Sequence, residues 1–248
     1  MVSTGVALVT GAAQGIGKAI ALRLADDGFD VAVNDIVANE KKLSSVVEEI
    51  KAKGRQSSAH LADVSVEEDV KGMVAEVVRV YGGLNVMVAN AGVCKCALMT
   101  ETSVEDYDRV MNINARGTFL CYKHAGVQMM AQGRGGRIIG ACSASGKRAG
   151  SAFTSAYVAS KFAIRGLTQS AALEFGPHKI TVNAYAPGPI DTDMLDYIKT
   201  SHGSAVPAHW QTAGTTGDIA ALVSYIASKE SGFITGQSLS INGGIYFD

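Results

Sequence analysis

The sequence predicts an α/β fold: one doubly wound domain on a seven-stranded parallel sheet with helices on both faces. Three observations predict it. Short apolar runs alternate with longer amphipathic stretches along the whole 248-residue chain, the pattern of parallel strands buried on both faces and joined by helical crossovers. A glycine-rich turn, TGAAQGIG from Thr10 to Gly17, joins the first run to the first amphipathic stretch. No internal repeat, linker or low-complexity segment interrupts the pattern, so residues 1–248 are read as a single domain.

The elements follow in order. Residues 6–10 are a short apolar strand closed by glycine, and 16–26 then take helical period. A second apolar run, 30–34 (DVAVN), is followed by a charged amphipathic helix over 39–53. Strand 57–64, helix 66–81 and strand 84–90 (LNVMVAN) continue the alternation. Residues 103–132 read as one long helix with a break near Gly117, and RIIGAC at 137–142 as a strand. Helix 151–175, strand 180–184, helix 218–228 and strand 238–241 complete the series. Only 191–216 lacks clear periodicity. It holds Gly203, Pro207, Gly214 and the single tryptophan, Trp210, and a long irregular excursion after a late strand predicts a substrate lid.

Composition excludes several classes. Apolar residues make up 47% of the chain and net charge is −1, so nothing in the charge balance points to nucleic acid or a membrane surface. The N-terminus lacks the basic region of a signal peptide, and no run is apolar enough to span a bilayer. The four cysteines, Cys94, Cys96, Cys121 and Cys142, are too few for a disulfide framework, so a reduced, cytoplasmic setting is expected. The five histidines are scattered without ligand spacing, so no metal is expected.

Two positions carry cofactor chemistry. Glycines at 11, 15 and 17 permit a tight turn and close backbone approach, and the helix start offers free N–H groups to a pyrophosphate. Asp35 ends the second strand, 18 residues past Gly17. An acid there accepts from the adenosine ribose hydroxyls and repels a 2′-phosphate, and its neighbours Gln14, Asn34 and Ile36 are uncharged. The pattern favours NAD(H) over NADP(H). Asp63-Val64 and Asn90-Ala91-Gly92 close the third and fourth strands, at the ends where open α/β sheets bind ligands.

With SAYVASKFAIRG (155–166), whose Tyr157 and Lys161 share one helix face, the chain resembles the short-chain dehydrogenase/reductase family over essentially its whole length. The family's T-G-x-x-x-G-x-G is matched by Thr10–Gly17, N-A-G by 90–92, S-x-x-G by 143–146, Y-x-x-x-K by Tyr157 and Lys161, and P-G with its trailing threonine by Pro187, Gly188 and Thr192. The resemblance implies a Rossmann-type fold. It also implies a dinucleotide held by Gly11, Gln14, Gly15, Ile16 and Gly17, by Asp35 and Ile36, by Asp63 and Val64, and by Asn90, Ala91 and Gly92. Tyr157, Lys161, Pro187, Gly188, Ile190 and Thr192 would hold its nicotinamide end.

It further implies Tyr157 as acid/base, with Lys161 favouring the phenolate and gripping the nicotinamide ribose. A free phenol, titrating near ~10, needs such a neighbour to act as a base at neutral pH. Ser143 would stabilise charge on the reacting oxygen, and Asn114 would hold a water that links the lysine to solvent. Ser143 lies 14 residues before Tyr157, one more than the family spacing, and Ser145 lies 12 before it. Ser143 is preferred because it ends the strand and keeps the S-x-x-G match.

The runs KFAIRGLTQSAALEF, ITVNAYAPG and TGQSLSINGG look most like the acetoin/diacetyl reductase and 2,3-butanediol dehydrogenase branch, which implies a small neutral hydroxyketone or diol. A bulkier alicyclic or terpenoid alcohol is the alternative. Expected substrate contacts are Ser143, Ala144, Ser145, Tyr157, Met194, Leu195 and Trp210, with only Lys95 or Lys147 available to clamp an anion. Family members that bind dinucleotide without turnover often lose the tyrosine, lysine or serine, and all three are present here. The resemblance also implies a homotetramer built on the helices over 103–132 and 151–175.

Overall fold

The computed structural model describes residues 3–202 and 213–247. Seven strands form one sheet: β1 (Gly5–Thr10), β2 (Phe29–Asp35), β3 (Ser57–Leu61), β4 (Val86–Ala89), β5 (Gly136–Ala141), β6 (Ile180–Pro187) and β7 (Ser238–Ile241). The order across the sheet is β3-β2-β1-β4-β5-β6-β7, and every pairing is parallel. Central strands are mostly apolar because both faces are covered. All of β4 and β6 is buried, whereas the edge strand β3, SSAHL, alternates half-buried and exposed.

The helices are α1 (Gly15–Asp26), α2 (Glu40–Ala52), α3 (Glu67–Tyr81), α4 (Val104–Met111), α5 (Gly117–Gln132), α6 (Ser155–Phe175), α7 (Asp193–His202) and α8 (Thr216–Ala227). Successive side chains of β1 feed opposite cores. Ala7 and Val9 join Ile20 and Leu24 of α1, Leu43 of α2 and Val223 of α8. Val6 and Leu8 join Val74 of α3, Leu120 of α5 and Phe175 of α6.

The structure corrects three sequence expectations and details a fourth. The strand read as 57–64 ends at Leu61, because Asp63 caps a turn, accepting from the Ser65 N–H and hydroxyl at 2.9 and 2.8 Å. The helix read as 103–132 breaks where expected, beside Gly117, and the interruption is a π-helical stretch over Asn112–Arg116 that separates α4 from α5. The helix expected from 151 begins at Ser155 because Phe153 and Thr154 pair with Ala97 instead. Within 191–216, α7 forms where no periodicity was read: Leu195 is buried behind two acidic first-turn residues, Asp193 and Asp196, that suit a helix start.

The strands diverge between β1 and β4, where chain order reverses, and three side chains hold that junction. The Thr10 hydroxyl accepts from the Asn90 and Ala91 N–H groups at 3.0 and 3.1 Å. Asn90 Nδ2 donates to the Thr10 carbonyl at 2.8 Å, and Tyr185 of β6 donates its hydroxyl to Asn90 Oδ1 at 2.7 Å. A crevice at the carboxyl ends of a doubly wound sheet is where such folds bind ligands.

Candidate active site

One cavity of about 800 Å³ opens at those strand ends. Its dinucleotide half begins with the turn after β1. A Cβ at Gly17 would overlap the Gly11 carbonyl, and one at Gly11, whose φ is +62°, would lie 2.8 Å from Ala91 Cα. Only glycine fits either position. No side chain caps the start of α1, so its first N–H groups remain available to an anion. Gln14, Gly15 and Ile16 also line the cavity here.

Asp35 closes the far end. Its Oδ1 accepts from the Ile36 N–H (2.9 Å) and Asn39 Nδ2 (2.8 Å), and its Oδ2 from the Ala13 N–H (3.1 Å). A carboxylate has about four acceptor sites, so Oδ2 keeps one for a ribose hydroxyl. The sequence reading found no base beside it. The structure brings one near: Lys42, from the first turn of α2, donates to Gln14 Oε1 at 2.6 Å. Ile36, Asp63, Val64, Ala91 and Gly92 complete this half. These observations fit a nicotinamide dinucleotide: a cradle that any Cβ would fill, open helix donors and a partly free carboxylate.

The reactive half is set by β5, α6 and the segment after β6. Lys161 is buried, donates from Nζ to the Ala141 carbonyl at 2.7 Å and lies 5.2 Å from the Tyr157 ring centre. Burial pulls its amine down to about 8, against weaker upward pulls from Cys142 and Cys94. Burial pushes the Tyr157 phenol up, Cys94 and Cys142 add to that, and a hydrogen bond with Ser143 opposes it. The expected lowering of the phenol by an ammonium does not appear. An amine that loses its proton at about 8 carries no charge where a phenol titrates.

Ser143 is the serine that meets Tyr157, and its Oγ also accepts from the Ser145 N–H at 3.0 Å. Ala144 and Ser145 line the cavity beside it, as do Pro187, Gly188, Ile190 and Thr192 and, on α7, Met194 and Leu195. Asn114 lies behind the cavity and is fully buried. It accepts the Val93 N–H at 2.8 Å and donates to the Val93 carbonyl and Ser160 Oγ at 2.9 and 3.0 Å. Ser160 in turn donates to the Tyr157 carbonyl at 2.7 Å. Asn114 therefore braces the segment after β4 against α6. Trp210 lies outside the described residues.

The two lysines read as possible anion clamps are engaged elsewhere. Lys95 pairs with Asp106 at 2.8 Å, and buried Lys147 donates to Ser240 Oγ at 2.8 Å. Besides Lys161, the basic side chains that line the cavity are Arg109 and Arg148, the latter stacked 4.9 Å from the ring centre of Tyr246, which lines it too. Sequence reasoning missed Tyr246 because the chain after β7 carries no motif or periodicity. Among the described residues no cluster of side chains could hold a metal ion, and no helix is long and apolar enough to cross a membrane.

Comparison with known proteins agrees with this geometry. Residues 11–246 match a family model described as enoyl-(acyl carrier protein) reductase. A short-chain dehydrogenase/reductase of Armillaria gallica is 55% identical, covering 98% of this chain and 96% of its own. The 3-oxoacyl-[acyl-carrier-protein] reductase of Staphylococcus aureus is 43% identical, covering 97% of each. Among solved structures, acetoin dehydrogenase from Enterobacter cloacae superimposes with a TM-score of 0.86 at 34% identity, covering 97% of this chain and 96% of that one. A Burkholderia cenocepacia short-chain dehydrogenase in complex with NADP has a TM-score of 0.86 at 37% identity, covering 96% of each.

Proposed function

The chain belongs to the short-chain dehydrogenase/reductase family and is an oxidoreductase with a dinucleotide-binding fold; from that premise we propose that it interconverts a secondary alcohol and a ketone with NAD(H), Tyr157 acting as acid/base. The observation that carries this reading is the meeting of Tyr157, Ser143 and Lys161 in the same cavity as the glycine cradle. Bound there, the dinucleotide supplies or accepts the hydride. Tyr157 Oη gives a proton to the carbonyl oxygen in reduction and takes it back in oxidation. The Ser143 hydroxyl steadies charge on that oxygen. Lys161 would hold the ribose and pass protons to Tyr157, while Asn114 would keep the surrounding segment in place and hold a water that links the lysine to solvent. Thr192, whose hydroxyl donates to the Ile190 carbonyl at 3.1 Å, would meet the carboxamide.

Asp35 supports NAD(H), through its open acceptor and its repulsion of a 2′-phosphate. Lys42 and the NADP-bound relative make this the point that most needs measurement. For substrate, the likeness to acetoin dehydrogenase favours a small neutral hydroxyketone or diol, and α7, within the segment 191–216, would cover it as a lid. A bulkier alicyclic or terpenoid alcohol is favoured instead by the aromatic edge that Tyr246 adds to the cavity. We further propose a cytoplasmic enzyme that assembles as a homotetramer through the exposed apolar faces of α5 and α6. The test is a panel of diacetyl, acetoin, cyclohexanone and terpenoid ketones, run in both directions with NAD(H) and NADP(H). No turnover of any member would leave the non-catalytic, dinucleotide-sensing reading standing.

A further inference from the structure

After β4 the chain runs as a short strap past the start of α6, fixed at both ends. Val93 is held through its N–H and its carbonyl by Asn114. Ala97 donates its N–H to the Phe153 carbonyl at 2.9 Å and pairs in strand fashion with Thr154. Between these anchors lie Cys94, Lys95 and Cys96. Both cysteines are half-buried and two residues apart, and each is the largest influence on the ionisation of the other.

The strap also reaches the helix over the reactive half of the cavity. The Cys96 N–H donates to the Tyr197 hydroxyl at 3.3 Å, and the Cys96 thiol meets Ser201, one turn further along α7. Val93 itself lines the cavity, and Cys94 is close enough for its charge to act on Tyr157 and Lys161. The two thiols are chemically unequal. The neighbouring Cys94 holds the Cys96 thiol below its usual range, with Ser201 and the Lys95 ammonium assisting against burial. The same pairing, with burial, pushes Cys94 far up. A thiolate beside a protonated thiol is the arrangement that oxidises selectively. The other cysteines, Cys121 and Cys142, are buried.

We propose that Cys94 and Cys96 form a reversible oxidation site, a dithiol whose closure to a disulfide reshapes the strap and slows the enzyme. With hydrogen peroxide as oxidant, the Cys96 thiolate attacks one peroxide oxygen and the O–O bond breaks. This gives a sulfenic acid and hydroxide, which takes up a proton to become water. The Cys94 sulfur then attacks the sulfenic sulfur. The S–S bond forms, the S–O bond breaks, and the departing hydroxide leaves as water with the Cys94 proton. Two thiols lose two electrons and the peroxide gains them. Bridging residues two apart inside a segment fixed at Val93 and Ala97 draws Cys96 away from Tyr197 and strains the Asn114 brace behind Tyr157.

The slowing rests on the oxidoreductase reading, whereas bond formation does not, so the test has separate arms. The full chain is treated with hydrogen peroxide, alkylated and digested. The expected peptide spanning 94–96 is unalkylated and lighter by two hydrogens, and dithiothreitol restores it. Diacetyl reduction falls roughly tenfold or more, the order seen when catalytic groups are misplaced, and recovers with the thiols. Amide exchange over 193–201 accelerates in the bridged form, a readout that needs no substrate. Cys94→Ser and Cys96→Ser each keep the untreated activity and lose the peroxide response. Full alkylation of both cysteines after peroxide would overturn the proposal. So would a bridge that changes neither turnover nor exchange, or inactivation that persists in both serine variants.

Discussion

Tyr157 and Lys161 were identifiable from their spacing, but the balance of forces on them was not. Spacing suggested an ammonium lowering a phenol; the fold buries Lys161 and half-buries Tyr157 at the cavity wall, and desolvation lowers the amine and raises the phenol. The consequence for stability has a definite sign. Lys161 titrates at about 8 in the fold against 10.5 ordinarily, so between those values the unfolded chain binds the extra proton and stability gains as pH rises. Urea unfolding without added dinucleotide should show this gain between pH 8 and 10, and Lys161→Met should lack it. Tyr157→Phe should cut turnover by about 10²–10⁴-fold, the usual worth of a proton-transferring group, and leave NADH binding nearly unchanged by fluorescence titration. Ser143→Ala should damage kcat more than Ser145→Ala, since only Ser143 meets the phenol. For cofactor choice, Asp35→Ser should raise kcat/KM for NADP(H), and adding Lys42→Ala should reverse part of that gain by removing the nearby cation. Equal use of both dinucleotides by the unmodified enzyme would reject NAD(H) preference.

At the scale of elements, periodicity identified the central strands and α1, α2, α3 and α8 to within a few residues, because each has one face or two committed to a core. It failed where tertiary contacts decide the outcome. The π-helical stretch at Asn112–Arg116 sets Asn114 inward, where it binds Val93 and Ser160 from two other segments, and no local pattern announces such a register shift. Tyr246 joins the site only because the tail folds back under Arg148. The pairing of β2 with β3 holds another feature invisible to pattern reading. Arg55 meets Asp30 at 2.8 Å with both side chains under 10% exposed, and the Gln56 N–H adds a bond at 2.9 Å. Burial alone would raise that carboxyl, but the Gln56, Ser3 and Arg55 bonds outweigh it and hold it low. Arg55→Ala should therefore cost about 3–5 kcal/mol in denaturant unfolding, the penalty for a buried charge left unpaired. A loss below about 1 kcal/mol, as for an exposed pair, would show that water reaches Asp30 instead.

Across the whole molecule, the outer faces of α5 and α6 leave large apolar side chains uncovered. Phe119 and Val127 stand two turns apart on α5, 45% and 56% exposed, and Phe162 on α6 is 44% exposed between Ala159 and Gly166. The small residues of α6 are divided: Ala156 is buried within its own chain, while Ala159 and Gly166 face outward. Sedimentation at micromolar concentration should give a tetramer, and Phe162→Glu should dissociate it into smaller species while NADH binding persists. A monomeric parent would reject the assembly. The segment after β6 has a different economy. Asp191 donates its N–H to the Gly214 carbonyl, and Gly214 donates its own to Pro189, both at 3.0 Å, so the excursion leaves and rejoins the body at one doorway. Each doubling of a loop so closed costs only about 0.6 kcal/mol. The chain between those two ends can accordingly be lengthened, shortened or exchanged as a cassette while the sheet inherits nothing of the change.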